Sequence, residues 1–317
     1  MKGPMGRKTF LWMLVVLFLL VSFSGYHFMA KKRSGDPGLR ERTAAGEENE
    51  NAGNQEQERN RAELRVEKGD VQLEEVMLQH LGHSCFLLEA NGLRILMDPY
   101  SPDVGYETLN LETQIMTVSH EHMDHNYTAA SPRAKILRGL TIDGLGWDDV
   151  SFTQGEIHIT SMPTYHDGAA GKQRGRNAAF IFNLGNLRIV HLGDLGHLLN
   201  EGEVEKLTPV DILLIPVGGH YTINAREAKQ VIAQLSPAVA IPMHYQTKVT
   251  RNWPLADLKP FLEGEEKIKE KGAKPVSLSK DLLPESTEIW LLEPGKLESL
   301  QQNNDWREKD GKKMDFR

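Results

Sequence analysis

Residues 114–125 read QIMTVSHEHMDH, and the fold turns on them. Gln114–Val118 is apolar and rich in β-formers, so it reads as a short buried strand. Directly behind it, Ser119-His120-Glu121-His122-Met123-Asp124-His125 gathers three imidazoles and the Asp124 carboxylate within six residues. Such a group is costly in a core and unusual on a surface. In a loop at a strand's C-terminal end, His120 and His122 can face one side and grip one metal ion. Asp124 and His125, further along, can face a second. Imidazole and carboxylate are the donors that Zn²⁺ and similar borderline ions take. A His-rich polar loop is the bland alternative.

Working outward, the body from about Val71 to Leu292 is built of short apolar runs closed by Gly, Asp or Pro. VMLQHLG, CFLLEA, LRILMD, EIHITSMP, AAFIFNLG, LRIVHLGD, DILLIPVGG and AVAIPMH all read as further strands. NAREAKQVIAQLS reads as a helix, with Asn224 as N-cap and Ser236-Pro237 as its end. Ala256–Lys271 is expected as a weaker second helix. Many strands precede the first clear helix, which favours a layered α/β body over a doubly wound sheet. His166, Asp194 and His244 each follow a predicted strand. Strand ends at one sheet edge converge, so these three can complete two metal spheres, and a carboxylate such as Asp194 can bridge them.

The ordered set Asp98 in LMDP, His120, His122, Asp124, His125, His166, Asp194 and His244 resembles the motifs of the metallo-β-lactamase superfamily. The resemblance spans the whole folded body. It implies a four-layer αββα sandwich with a dinuclear site at one sheet edge. His120, His122 and His166 would hold the first metal; Asp124, His125 and His244 the second; Asp194 would bridge. Asp98 would orient a ligand histidine, although spacing alone allows a turn Asp before Pro99. LGHSCFLLE, GGHYTINAREA and IPMHY resemble the ascorbate-6-phosphate lactonase-like branch, and the GHS opening also resembles the N-acylphosphatidylethanolamine phospholipase D-like branch. Cys85, the one cysteine, lies in an early apolar strand, so the cysteine ligand of well-known β-lactamases has no counterpart, and antibiotic hydrolysis is disfavoured.

His83 and His220 follow apolar strands in glycine-permissive turns and are candidates for substrate contact or proton donation. His80, His158, His191 and His197 read as structural; Tyr165, Asp167 and Tyr245 neighbour ligands as supporting groups. The loops Ser101–Leu111 and Gly139–Asp149 are expected to line the pocket. Gly168–Asn177, with Lys172, Arg174 and Arg176, reads better as a solvated basic loop than as an anion site. Two divalent cations sharing a water bring its pKa towards neutrality and supply a nucleophile for an ester, lactone or phosphodiester. Asp124 or Asp194 would take the proton. Zn²⁺ is the first choice of metal, with Mn²⁺ or Fe²⁺ as alternatives. A lipid phosphodiesterase and a non-catalytic metal module are the competing readings.

Composition bounds the rest. The chain has 317 residues, net charge −7 and one cysteine, which excludes a disulfide framework and argues against nucleic acid as partner. Residues 1–30 carry LWMLVVLFLLVSF, an uncharged span read as a signal anchor or signal peptide that places the catalytic domain outside the cytoplasm. Flanking Lys2, Arg7, Lys8 and Lys31, Lys32, Arg33 nearly balance, so charge alone leaves orientation open. Residues 31–70 read as a disordered polar linker, 71–294 as the hydrolase domain and 295–317 as a polar tail. A small-molecule or lipid substrate is expected, with membrane contact through the N-terminal helix.

Overall fold

The computed structural model of the chain describes residues 76–296. The expected N-terminal span, the linker and the tail beyond residue 296 lie outside them. Among the described residues no helix is long and apolar enough to cross a membrane.

Two sheets carry the body. The first holds β1 (Val76–Gly82), β2 (Cys85–Ala90), β3 (Leu93–Met97), β4 (Ile115–Val118), β5 (Lys135–Arg138) and β13 (Val276–Leu278) in the order β13-β1-β2-β3-β4-β5. The second holds β6 (Ser151–Gln154), β7 (Ile157–Tyr165), β8 (Arg176–Leu184), β9 (Leu187–His191), β10 (Ile212–Pro216), β11 (Val239–Met243), β12 (Ile268–Gly272) and β14 (Glu288–Leu292). Their order is β12-β14-β11-β10-β9-β8-β7-β6. The expectation of a layered, strand-first α/β body is met.

The sheets face each other across a core of Leu78, Phe86, Leu88 and Ile95 from one side and Phe180, Phe182, Ile189, Leu214 and Ile241 from the other. Strand alternation explains the layering. Along β8, Phe180 and Phe182 enter this core, while Ala179 and Ile181 face the opposite side of the sheet and pack under helices. Those helices are α1 (Glu201–Leu207), α2 (Ala225–Leu235) and α3 (Lys259–Leu262), which contribute Leu207, Val231, Leu235 and Phe261.

The outer face of the six-stranded sheet departs from the αββα expectation. Leu87, Leu96, Met116 and Val118 are covered there by Tyr100, Val104, Leu109 and Leu111. Among the described residues that layer is an irregular segment with short 3₁₀ turns, not a helix. Part of Ser101–Leu111 is therefore core cover, although it was expected to line a pocket. Val104, Leu109 and Leu111 are too buried to line one.

α2 forms as expected. Asn224 accepts from Arg226 N at 3.0 Å and Glu227 N at 3.1 Å, Glu227 returns a bond to Asn224 N at 2.9 Å, and Ser236 ends the helix in the left-handed region. The second helix expected over 256–271 does not extend that far. It makes one turn, Gly264 at φ 79° turns the chain, and Ile268–Gly272 pairs in parallel with β14. Tertiary pairing outweighs the weak helical pattern there.

Direction matters more than count. β3 and β4 are parallel, as are β9, β10 and β11. β7 and β9 are each antiparallel to β8, so they run the same way; β1 and β3 share a direction for the same reason. The C-terminal ends of all these strands therefore meet at one edge. Phe182→Ala is expected to cost about 3–5 kcal/mol by leaving a cavity between the sheets, and Asn224→Ala about 1 kcal/mol by uncapping α2. Urea unfolding of both variants checks this; equal small losses would contradict the core assignment.

Candidate metal centre

At that edge the loops after β1, β3, β4, β7, β9 and β11 bring His83, Asp98, His120, His122, Asp124, His125, His166, Asp194 and His244 together. Ring nitrogens and carboxylates that could hold an ion converge in His120–His122–His166, in His83–Asp124–His125–His244 and in Asp98–His120–His125. Within the first set, His120 Nε2 lies 3.0 Å from His122 Nδ1. Asp194 sits between the first two sets. Its Oδ2 is 3.1 Å from His166 Nε2 and 3.2 Å from His244 Nε2, and its Oδ1 is 3.2 Å from His125 Nε2.

Asp98 is both a turn residue and a partner of the cluster. It sits at φ 43°, in the left-handed region, directly before Pro99. Such strain persists where the surroundings over-determine it, and here they do. Asp98 accepts from Ser119 N at 2.8 Å, from Ser119 Oγ at 2.5 Å and from His125 Nδ1 at 2.9 Å. Since Ser119 Oγ–H is committed to Asp98, Ser119 accepts from His120 Nδ1 at 2.9 Å. One carboxylate thus fixes two imidazoles with Nε2 turned towards the cluster. His166 is fixed likewise, by its Nδ1 donating to Tyr221 O at 3.0 Å.

Burial and charge divide the titrations. Burial holds His120 well below the usual imidazole range and also lowers the more exposed His122. Burial would raise the carboxyls of Asp124 and Asp194, but His125 foremost outweighs it in both, and they are held below the carboxylate range. Burial lowers His125 and His166, yet Asp194 outweighs it and raises both. His83 is pushed down to about 4 by burial and by His244, against its hydrogen bond to Asp124.

Buried polar groups normally find partners. Here His125 Nε2, Asp194 Oδ1 and both ring nitrogens of His244 are buried without a hydrogen-bond partner. Oxygen and imidazole donors converging with unused lone pairs fit a divalent cation. The cluster reaches solvent at His122 and Met123, both exposed, while the other converging histidines are buried.

His83 is brought in, but not as a substrate contact. It is buried, bonded through Nε2 to Asp124 Oδ2 at 3.0 Å and packed 4.2 Å from the His244 ring. His220 is not brought in: it stays exposed, its ring edge-on to Tyr221 at 4.5 Å. His80 and His191 bond backbone carbonyls, in keeping with structural roles.

Ser119, Asn177 and Gly193 escaped the sequence reading. Asn177, fully buried, accepts from Asp194 N at 2.9 Å and donates to Leu192 O at 2.8 Å, so it shapes the Asp194 turn. Gly193 at φ 54° permits that turn; a Cβ there would stand 2.4 Å from Asn177 Oδ1. Asn177 lies among strand residues without local chemistry, so only its partners reveal it. Glu121 takes no part in the cluster. It ties the loop to β5 through Arg138 Nη1 at 2.5 Å and accepts from Asn126 at 3.1 Å.

Comparison with known proteins places this arrangement. Residues 77–244, more than half of the chain, match the beta-lactamase superfamily domain. A UPF0173 metal-dependent hydrolase of Thermococcus kodakarensis is 27% identical over 242 residues, covering 69% of this chain and 97% of that one. Another, from Carboxydothermus hydrogenoformans, is 29% identical over 200 residues, covering 55% and 84%. A Thermotoga maritima structure of the metallo-beta-lactamase superfamily shares 29% identity at a TM-score of 0.52, covering 69% of this chain and 98% of that one. With a two-sheet fold, a His/Asp cluster at the strand ends and these relatives, the chain belongs to the metallo-β-lactamase superfamily and is a metal-dependent hydrolase.

Proposed function

We propose that the protein is a dinuclear hydrolase, with His120, His122 and His166 holding one divalent ion, Asp124, His125 and His244 the other, and Asp194 bridging. The observation that carries this is the position of Asp194, whose two oxygens lie within 3.2 Å of nitrogens from both histidine sets. Zn²⁺ suits the donors best, with Mn²⁺ or Fe²⁺ also compatible. When bound, such a pair supplies a water activated near neutral pH and polarises the scissile carbonyl or phosphoryl oxygen.

The chain's own residues do the remainder. Asp98 and Ser119 hold His120 and His125 by their Nδ1 atoms, so both Nε2 atoms already face the cluster and the rings need no reorientation when the site is loaded. Tyr221 O does the same for His166. Asp124, kept ionised by His125 and by His83 beneath it, can accept a proton at its Oδ oxygens. Substrate enters past His122 and Met123, the exposed side of the cluster. The substrate is an ester, lactone or phosphodiester.

A lipid phosphodiester is a second reading, favoured by Ile142 and Leu145. They are 83% and 71% exposed on the loop that brings Trp147 against Tyr165. The uncharged span before Lys31 would then hold the domain at an extracytoplasmic membrane face, either as an anchor or after cleavage of a signal. Protease added to intact cells should degrade the domain. Full protection would reverse that orientation.

Asp194→Asn and His122→Ala should each lower turnover by about a thousandfold or more, the scale of losing a principal catalytic group. Circular dichroism should stay native, and undiminished turnover in either pure variant would end the dinuclear reading. Asp98→Asn weakens the acceptor that orients His125 directly and His120 through Ser119. Metal affinity, read by competition with a chromogenic chelator, should weaken about 10–100-fold; equal affinity would remove Asp98 from this role.

A further inference from the structure

The basic stretch Gly168–Asn177 is solvated at Gly168, Ala170, Lys172 and Gln173, but it is not loose. Asp167, buried beside His166, closes it. Its Oδ1 accepts from Ala169 N at 2.7 Å and Gly171 N at 3.0 Å, and its Oδ2 from Gln173 N at 2.9 Å and Arg174 N at 2.7 Å. His166 N donates to Gly175 O at 3.1 Å, so the loop returns to the residue it left. Gly171 at φ 77° makes the closure possible; a Cβ there would meet Gly175 O at 2.8 Å. Arg174 is therefore tied to the metal-site histidine by a rigid turn.

The side chain of Arg174 has a defined seat. Its Cζ lies 5.8 Å from the ring centroid of Tyr221, the residue whose carbonyl orients His166. Among the described residues no carboxylate pairs with this guanidinium, and Asp167, the nearest in sequence, has both oxygens taken by backbone amides. Arg174 is half-buried rather than fully solvated. Arg176, by contrast, lies 4.8 Å from the Trp147 ring, and Lys172 is exposed. A planar fork of donors with no counter-ion, lying against the residue whose carbonyl orients His166, suits a carboxylate or phosphate. The net charge of −7 gives no general attraction for anions, so recognition of one must be local.

We propose that Arg174 is a specificity-determining residue, which pairs with a fixed negative charge on the substrate away from the bond that is cleaved. The substrate class is then an anionic ester, lactone or phosphodiester. This rests on the hydrolytic reading for its cleaved bond, but the binding of the anion can be measured without it.

The test compares zinc-loaded wild-type protein with Arg174→Gln and Arg174→Lys. The substrates are 4-nitrophenyl succinate, which ends in a carboxylate, and the neutral 4-nitrophenyl valerate. The ratio of kcat/KM for the charged over the neutral ester should fall about tenfold in R174Q, the scale of one charge-assisted hydrogen bond, through KM. R174K should recover part of it. A merely structural role would lower both esters alike and leave the ratio unmoved, which would overturn the proposal. Calorimetry with phenylphosphonate gives a reading free of turnover: about tenfold weaker binding in R174Q supports the proposal, and equal affinity overturns it. If the phosphonate binds through Arg174 while neither ester is cleaved, ester hydrolysis fails and the anion site stands. Sedimentation with phosphatidylglycerol against phosphatidylcholine vesicles separates the source. Arg174-dependent retention on the former marks a lipid headgroup; phosphonate binding without it marks a soluble anion.

Discussion

Asp194 is a carboxylate taken out of water and set among imidazoles from three different loops, and much of the strand-end edge is arranged around it. A buried charge without partners would be prohibitively costly. Its neighbours are 3.1–3.2 Å away at His166, His244 and His125, and its own amide is held by Asn177. Each partner arrives from the end of a different strand, so the directions of β7, β9 and β11 and of β4 in the facing sheet are all needed to build this one point. The same geometry turns the Asp194 oxygens towards the two histidine sets, so the contacts that stabilise the buried charge are also those that would frame a cation.

Backbone strain gathers at the same edge. His83, Asp98 and His244 all lie at positive φ, between 43° and 52°, although none is glycine. Close backbone approach accompanies it: a Cβ at Gly196 would lie 2.2 Å from the carbonyl carbon of His166, and one at Gly218 would lie 2.1 Å from His244 O. The loops are pressed together tightly enough that the histidine positions are set by backbone packing as well as by side-chain bonds. Side chains held in this way would lose little freedom if the cluster took up an ion.

Legibility differed from element to element. The long apolar runs, the α2 cap at Asn224 and the HEHMDH loop were all readable, since local residue chemistry specifies each. β5 and β6 were not: Lys135–Arg138 and Ser151–Gln154 are short and mostly exposed, so neither shows strand alternation. The segment 256–271 misled, since its charged residues suit a helix while pairing with β14 makes its end a strand. Asp98 illustrates the limit well. Its spacing fits a turn or an orienting carboxylate equally, and only the fold shows its hydrogen bonds from Ser119 and His125, 21 and 27 positions away.

The sequence by itself determined the candidate donors, their order, and that each follows a strand. Those are local properties, written in residue type and apolar periodicity. Tertiary structure alone decided which nitrogen of each imidazole faces the cluster, that His83 lies beneath Asp124 while His220 remains at the surface, and that the Arg174 guanidinium is seated against Tyr221. These outcomes depend on contacts between segments tens to more than a hundred residues apart, such as His83 with Asp124 or His191 with Ser84. Such distances along the chain carry no periodic signal, because only the closed sheets and their shared edge bring the partners within hydrogen-bond reach.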